Sequence, residues 1–253
     1  MLSGRQRDIL TLLEQEGAQY IEALASRYGL TTQTIRRDIN ALCDLGYARR
    51  FHGGVDTPVE ARNISINARA TLNSQAKQRI ARKVADAIAP GSTVFMGIGS
   101  TVQFVAQALR DHQGLRVVTN NIDVALMLCD APQIEVHMTG GVLRHNDRDV
   151  VGTDTLQFFE KFYASYAIVG AGALDPAKGV LDFSYSEAQT TSTLIANSRS
   201  TFLVADMSKW ARNASVRVVP FTKVTSLFTD AIPETVAGEA LAAAGIDVVL
   251  CND

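Results

Sequence analysis

Two adjacent arginine pairs, Arg36-Arg37 and Arg49-Arg50, account for four of the seven arginines in residues 1–55. Thr32, Gln33, Thr34 and Asn40 surround the first pair and His52 follows the second. Arginine can offer two donors to guanine O6 and N7, the Gln and Asn amides match adenine N6 and N7, and any of them can take a phosphate instead. A solvated charged face is the competing reading of either pair alone. A second group of residues lies far along the chain. GIGST (97–101) offers glycines for close approach, with the amides and hydroxyls of Gly99, Ser100 and Thr101 suited to an anion. Lys209 in ADMSK (205–209) can supply a cation, and Asp182 and Glu187 in LDFSYSE (181–187) can take sugar hydroxyls. Capping of a helix near Ser186 is the alternative for those two acids. The GIGST loop is neither a G-x-G-x-x-G fingerprint nor a lysine-bearing P-loop.

The charge balance locates the first group better than the total does. The chain of 253 residues has a net charge of −2, which does not advertise a nucleic-acid binder. Residues 1–55 hold seven Arg against six acids, and the remainder seventeen Lys/Arg against twenty acids. The pairing of the arginines therefore matters more than the sum. Three cysteines without C-x-x-C spacing exclude a disulfide framework and a zinc ribbon. Cys43 and Cys129, set among apolar residues, read as buried inert thiols. The four histidines have no metal-ligand spacing, so neither metal nor cofactor is expected. No apolar run reaches the ~20 residues of a membrane helix. MLSGRQRDIL lacks a secretory layout, so a cytoplasmic protein is expected.

The elements that must position these residues follow from periodicity. Arg5–Glu16 and Tyr20–Tyr28 read as helices closed by Gly17 and Gly29, and Thr31 caps a third helix running toward Gly46. In that third helix Ile35, Ile39 and Leu42 share one face, leaving Gln33, Arg36, Arg37 and Asn40 on the other. GYARRFHGGV (46–55) then reads as a hairpin turning at Gly53-Gly54, which would serve as a wing. Two basic clusters on adjacent elements make a winged helix-turn-helix over residues 1–56 the expected first domain. Residues 57–73 lose periodicity and read as a linker. A helix follows over 75–91, its Lys77, Arg79, Arg82 and Lys83 expected on a solvated face. From Ser92 on, near-continuous apolar strands alternate with helices. That pattern predicts a mostly parallel α/β domain over 74–253, with ligands placed beyond the strands' carboxyl ends.

The run TTQTIRRDINALCDLGYARRFHGGV (31–55) resembles the signature of the DeoR-type bacterial transcription regulators, and the likeness continues to the C-terminus. That resemblance implies an oligomeric repressor, dimer or tetramer, that binds double-stranded operator DNA and answers to a phosphorylated sugar or polyol. It also implies an effector domain similar in fold to ribose-5-phosphate isomerase. Gly99, Ser100, Thr101, Asn120, Asn121, Gly140, Gly141, Glu187 and Lys209 fall at the corresponding effector positions. The family commonly has an acid where this chain has Gly97, and a lysine near Thr191 or Ser192, so the effector's identity does not follow. The competing class is a sugar-phosphate isomerase with an accessory N-terminal domain, its base and electrophile drawn from Asp182, Glu187 and Lys209. The complete helix-turn-helix with its wing favours a regulator, which would bind sugar phosphates without turning them over.

Overall fold

The computed structural model describes residues 2–45, 47–51, 53–56, 66–233 and 236–252, and the chain divides into two compact units, Met1–Ile64 and Ser65–Asp253. In the first unit, α1 (Gly4–Glu16) starts in a capping box: the Ser3 hydroxyl accepts from the Gln6 amide and the Gln6 side chain accepts from the Ser3 amide. A two-residue strand, β1 (Gln19–Tyr20), leads into α2 (Ile21–Tyr28), which ends at Gly29 in the left-handed conformation. Only Leu30 and Thr31 separate Gly29 from α3 (Thr32–Asp44), whose start is capped by the Thr31 hydroxyl accepting from the Thr34 amide at 3.3 Å. Ile35, Ile39 and Leu42 are fully buried, as the helical spacing predicts. β2 (Arg49–Phe51) and β3 (Gly54–Asp56) form the antiparallel wing, and β1 adds to β3 as a third strand. Periodicity missed β1, because two residues carry no alternation to read.

The second unit begins with α4 (Ile66–Thr71) and α5 (Ser74–Ala87). β4 (Thr93–Met96), α6 (Ser100–Ala108), β5 (Arg116–Thr119), α7 (Ile122–Leu128) and β6 (Glu135–Met138) follow. A hairpin of β7 (Val142–Arg144) and β8 (Asp149–Val151) precedes α8 (Thr153–Phe159) and β9 (Ala164–Val169). Next come β10 (Ala173–Asp175), β11 (Gly179–Asp182), α9 (Tyr185–Ala196), β12 (Ser198–Val204) and a short 3-10 turn over Met207–Ala211. β13 (Val216–Val219), β14 (Ser226–Thr229), α10 (Val236–Ala243) and β15 (Asp247–Leu250) complete the unit. Seven strands form one parallel sheet in the order β15-β14-β12-β9-β4-β5-β6. Its strands are short and apolar because both faces are covered. Ile80, Val84, Val105 and Val124 from α5–α7 pack on one face, and Phe159, Leu194 and Leu241 from α8–α10 on the other.

The order reverses between β4 and β9, and in sheets of this kind ligands sit at that switch point, outside the carboxyl ends of the strands. The two loops that leave it touch. A Cβ on Gly170 would lie 3.1 Å from the Ile98 carbonyl, so a larger residue would push the loop after β9 a few tenths of an ångström away from the loop after β4.

The structure corrects several expectations. The division falls near residue 64, and 66–71 is helical and part of the second unit, whereas the sequence reading assigned everything to 73 to a linker. Six residues with a single large apolar side chain, Ile66, gave too little periodicity to betray α4. The apolar run 166–174 breaks into β9 and β10 at Gly170–Gly172, and β10, β11 and β13 form a separate antiparallel sheet, not part of the expected parallel one. Lys77 is buried, not solvated: its Nζ donates to the carbonyls of Arg69 at 2.5 Å and Leu72 at 2.6 Å, closing the end of α4. Cys129 is exposed and Cys43 half-buried, because Cys129 follows the last turn of α7.

Candidate functional site

The outer face of α3 carries Gln33, Arg36, Arg37 and Asn40, all exposed, with Thr32 and Thr34 partly so. Thr34 also belongs to the cap, its hydroxyl 3.0 Å from that of Thr31. One residue of this helix escaped the sequence reading. Asp38 is buried at 6 % exposure and is held from α1 by Arg5 Nε at 2.6 Å and Gln6 Nε2 at 3.2 Å. Its spacing of three from Ile35 was the available signal: an acid on the buried stripe must find a partner. The clamp fixes the roll of α3 and so the direction in which its basic face looks. On the wing Arg50 is exposed and pairs through its backbone with Val55. Arg49 opens β2 opposite Asp56, while its side chain, like His52 as a whole, lies outside the described residues.

In the second unit, β4 ends in the loop that starts α6. Gly99 at φ 122° precedes Ser100 and Thr101, which are buried in the first turn, and no side chain caps this helix. The two hydroxyls make no hydrogen bond among the described residues. Asn121 is a structural part of this loop. Its Oδ1 accepts from the Asp123 and Val124 amides, capping α7, and its Nδ2 donates to the Gly97 carbonyl at 3.3 Å. Asn120 donates to the Val150 carbonyl at 2.9 Å, whereas its Oδ1 is buried without a partner. Gly140 and Gly141 are exposed. A Cβ on Gly141 would come within 2.8 Å of Thr155, Val150 and Val151, so this glycine serves the entry to the β7–β8 hairpin.

Lys209 lies beyond the carboxyl end of β12, in the 3-10 turn begun by Asp206. It is 9 % exposed and makes no hydrogen bond or ion pair among the described residues. Burial pushes its pKa well below the usual lysine value, and the nearby positive charges of Arg212, Arg69 and Lys77 push the same way against Asp206. Asp206 itself is held by Asn73 Nδ2 at 3.0 Å and the Ser208 amide at 3.1 Å.

Asp182 and Glu187 meet in a buried ion network whose centre, Arg144, the sequence reading missed. Arg144 donates to Asp149 at 2.8 Å and to Glu187, and stands 3.7 Å from Asp147, which pairs with Arg69. Asp182 and Glu187 share a hydrogen bond, and burial together with this neighbour pushes Glu187 up to about 8. Burial likewise raises Asp149 to about 6, against the pull of Arg144. The raised pKa of Glu187 favours a proton held in its hydrogen bond with Asp182. Neither acid caps a helix: Asp182 accepts from the Phe183 amide, and Ser184 precedes α9 without a side-chain cap. The signal for Arg144 was the run RHNDRD (144–149), whose two acids alternate along a strand start. Among the described residues no cluster of His, Cys, Asp or Glu suits a metal ion. No described helix is long and apolar enough to cross a membrane.

A helix-turn-helix with a basic outer face and a wing, joined in one chain to a parallel α/β unit with buried polar side chains in the loops at its switch point, defines a DNA-binding regulator with a sensor domain. The comparisons agree. Residues 5–60 match the DeoR-like helix-turn-helix domain and residues 72–231 the DeoR C-terminal sensor domain, so the chain belongs to the DeoR family. It is 37 % identical, over 98 % of both chains, to the glycerol-3-phosphate regulon repressor of Escherichia coli (strain K12). It is 35 % identical to the HTH-type transcriptional repressor CsqR of the same organism, over 98 % of this chain and 96 % of that one. These relatives are repressors along their whole length, and the isomerase reading gives way to a regulator. Ribose-5-phosphate isomerase A from Neisseria gonorrhoeae shares 18 % identity at a TM-score of 0.38, over 53 % of this chain and 52 % of that one.

Proposed function

We propose that this chain represses carbohydrate-handling genes and is released from its operator by a phosphorylated sugar or polyol. Thr32, Gln33, Thr34, Arg36, Arg37 and Asn40 read or position the DNA from the recognition helix, and Arg49, Arg50 and His52 hold phosphates from the wing. The effector's phosphate binds at Gly99, Ser100, Thr101 and Lys209. Asn120 through its free Oδ1, with Asp182 and Glu187, takes the hydroxyls, while Asn121, Gly140 and Gly141 shape the loops around them. The protein acts in the cytoplasm as a dimer or tetramer, because one recognition helix reads only a few base pairs and two-fold symmetry doubles them.

The observation that carries the sensor assignment is Lys209. A buried ammonium with no hydrogen bond or ion pair among the described residues is costly, and an anion arriving beside it removes that cost. Open helix-terminal amides and two free hydroxyls complete an anion seat. A thermal-shift comparison of sugar and polyol phosphates with their unphosphorylated counterparts tests this reading. A ligand at a hundredfold excess over its Kd adds about 2.7 kcal/mol of stability. Equal shifts from the phosphorylated and unphosphorylated members of each pair contradict it.

A further inference from the structure

Arg69 lies on the first helix after the DNA-binding unit, and its surroundings are those of the sensor crevice. The residue is 9 % exposed, its guanidinium pairs with Asp147 on one side, and its Nε is buried with no hydrogen-bond partner. Helix α4 packs against α6, the helix whose first turn holds Ser100 and Thr101. The positive charge of Arg69 is also close enough to Lys209 to depress its pKa, alongside burial and Arg212. Two further bonds tie the same segment to loops of the second unit, and a third set holds it to α5. The Ile66 amide donates to the Asn146 carbonyl at 3.0 Å, Asn73 donates to Asp206, and Lys77 closes the end of α4. Asp147 in turn stands beside Arg144, which holds Glu187 and Asp149.

Arg69 thus has an unsatisfied buried donor, and Lys209 makes no hydrogen bond or ion pair among the described residues, on two elements at one edge of the sheet. We propose that Arg69 is an effector-contact residue: the guanidinium binds the phosphate of the ligand held by Lys209, so that the segment arriving from the DNA-binding unit is itself a wall of the sensor site. The inference rests on the phosphorylated-effector reading above. A dianionic phosphate monoester suits the pair, since arginine presents parallel donors to two phosphate oxygens while lysine acts as a point charge. Binding then draws α4 toward the ligand and loosens the hold of Asp147. Any shift of α4 reaches the linker directly, because the two are adjacent in the chain.

Removing Arg69 alone strands the buried Asp147, so the test uses the charge-balanced double variant Arg69→Gln/Asp147→Asn beside Asp147→Asn, Lys209→Met and wild type, all full-length. Inorganic phosphate, glycerol 3-phosphate and ribose 5-phosphate serve as probes by calorimetry, with operator binding measured in parallel. The double variant is expected to melt near wild type, to bind operator normally without ligand, and to lose roughly 10- to 150-fold in affinity for the probe that binds wild type. Asp147→Asn, which leaves Arg69 free, keeps or gains affinity. If the double variant binds the probe as tightly as wild type while Lys209→Met loses it, Arg69 is structural and only this inference falls. If Lys209→Met also binds fully, or no probe binds wild type, the effector reading falls with it.

Discussion

Replacing Lys209 with methionine separates a ligand-binding lysine from a structural one, because the two roles predict opposite signs. Methionine keeps the length and apolar stem of the side chain while removing the charge. Lys209 is 9 % exposed and makes no hydrogen bond or ion pair among the described residues. Its pKa lies below the ordinary 10.5, first through burial and then through Arg212, with Arg69 and Lys77 adding to it. A base with a depressed folded-state pKa binds fewer protons folded than unfolded, so at neutral pH it weakens the fold. Exchanging such an uncompensated ion for a packed apolar side chain gains about 1–3 kcal/mol, offset in part by the lost attraction to Asp206. The loss of one charge-assisted contact to phosphate is worth about 1.5–3 kcal/mol, which is roughly 10- to 150-fold in affinity. Lys209→Met should therefore melt as high as wild type or a few degrees higher, and bind phosphorylated effector 10-fold or more weakly. Scanning calorimetry and titration calorimetry on one preparation read both quantities. A lower Tm with unchanged ligand affinity would refute the reasoning, because Lys209 would then be a structural cation.

Three further outcomes are expected. Gln33→Ala, Arg36→Ala and Arg37→Ala should each weaken operator binding, by about 1–3 kcal/mol where a base contact is lost, with relaxed preference at one base pair; competition binding to single-base operator variants checks this, and three folded variants of full affinity overturn it. Arg49→Ala and Arg50→Ala should weaken binding to all sequences alike and lower the salt slope by about one unit, read from affinity at several salt concentrations. Glu187, raised from 4.5 to about 8, keeps a proton in the folded state that the unfolded chain has lost, so it makes stability fall as pH rises through that window. The Tm of wild type measured against Glu187→Gln should thus drop between pH 5 and 8; parallel curves contradict the assignment.

The recognition helix was legible in the sequence because a 3.6-residue pattern with three large apolar residues, Ile35, Ile39 and Leu42, leaves one answer for which face is wet. The parallel sheet was legible for the related reason that buried strands read as unbroken apolar runs. The parts that escaped are held by polar contacts between residues remote in sequence. Arg69 and Asp147 are 78 positions apart and Arg144 and Glu187 43 apart, and no local spacing announces such pairs. Lys77 was misread because its helix has basic residues on more than one face, and only α4 decides which of them is buried. Asn121 was placed among effector residues by resemblance, yet its side chain is engaged in capping α7 and bonding Gly97. Gly141 similarly answers to a steric demand at the hairpin.

On the proposed function, one chain carries a DNA-reading face and a phosphate-sensing site whose occupancy controls it. Fluorescence anisotropy of a labelled operator, selected from genomic fragments by the protein itself, tests that claim most directly when repeated with and without the phosphorylated compound that raises Tm. Specific binding is expected without the compound and a roughly 5- to 150-fold loss of affinity with it, the range of an allosteric coupling of about 1–3 kcal/mol. Identical operator affinity at saturating concentrations of a compound that demonstrably binds the second unit would contradict it.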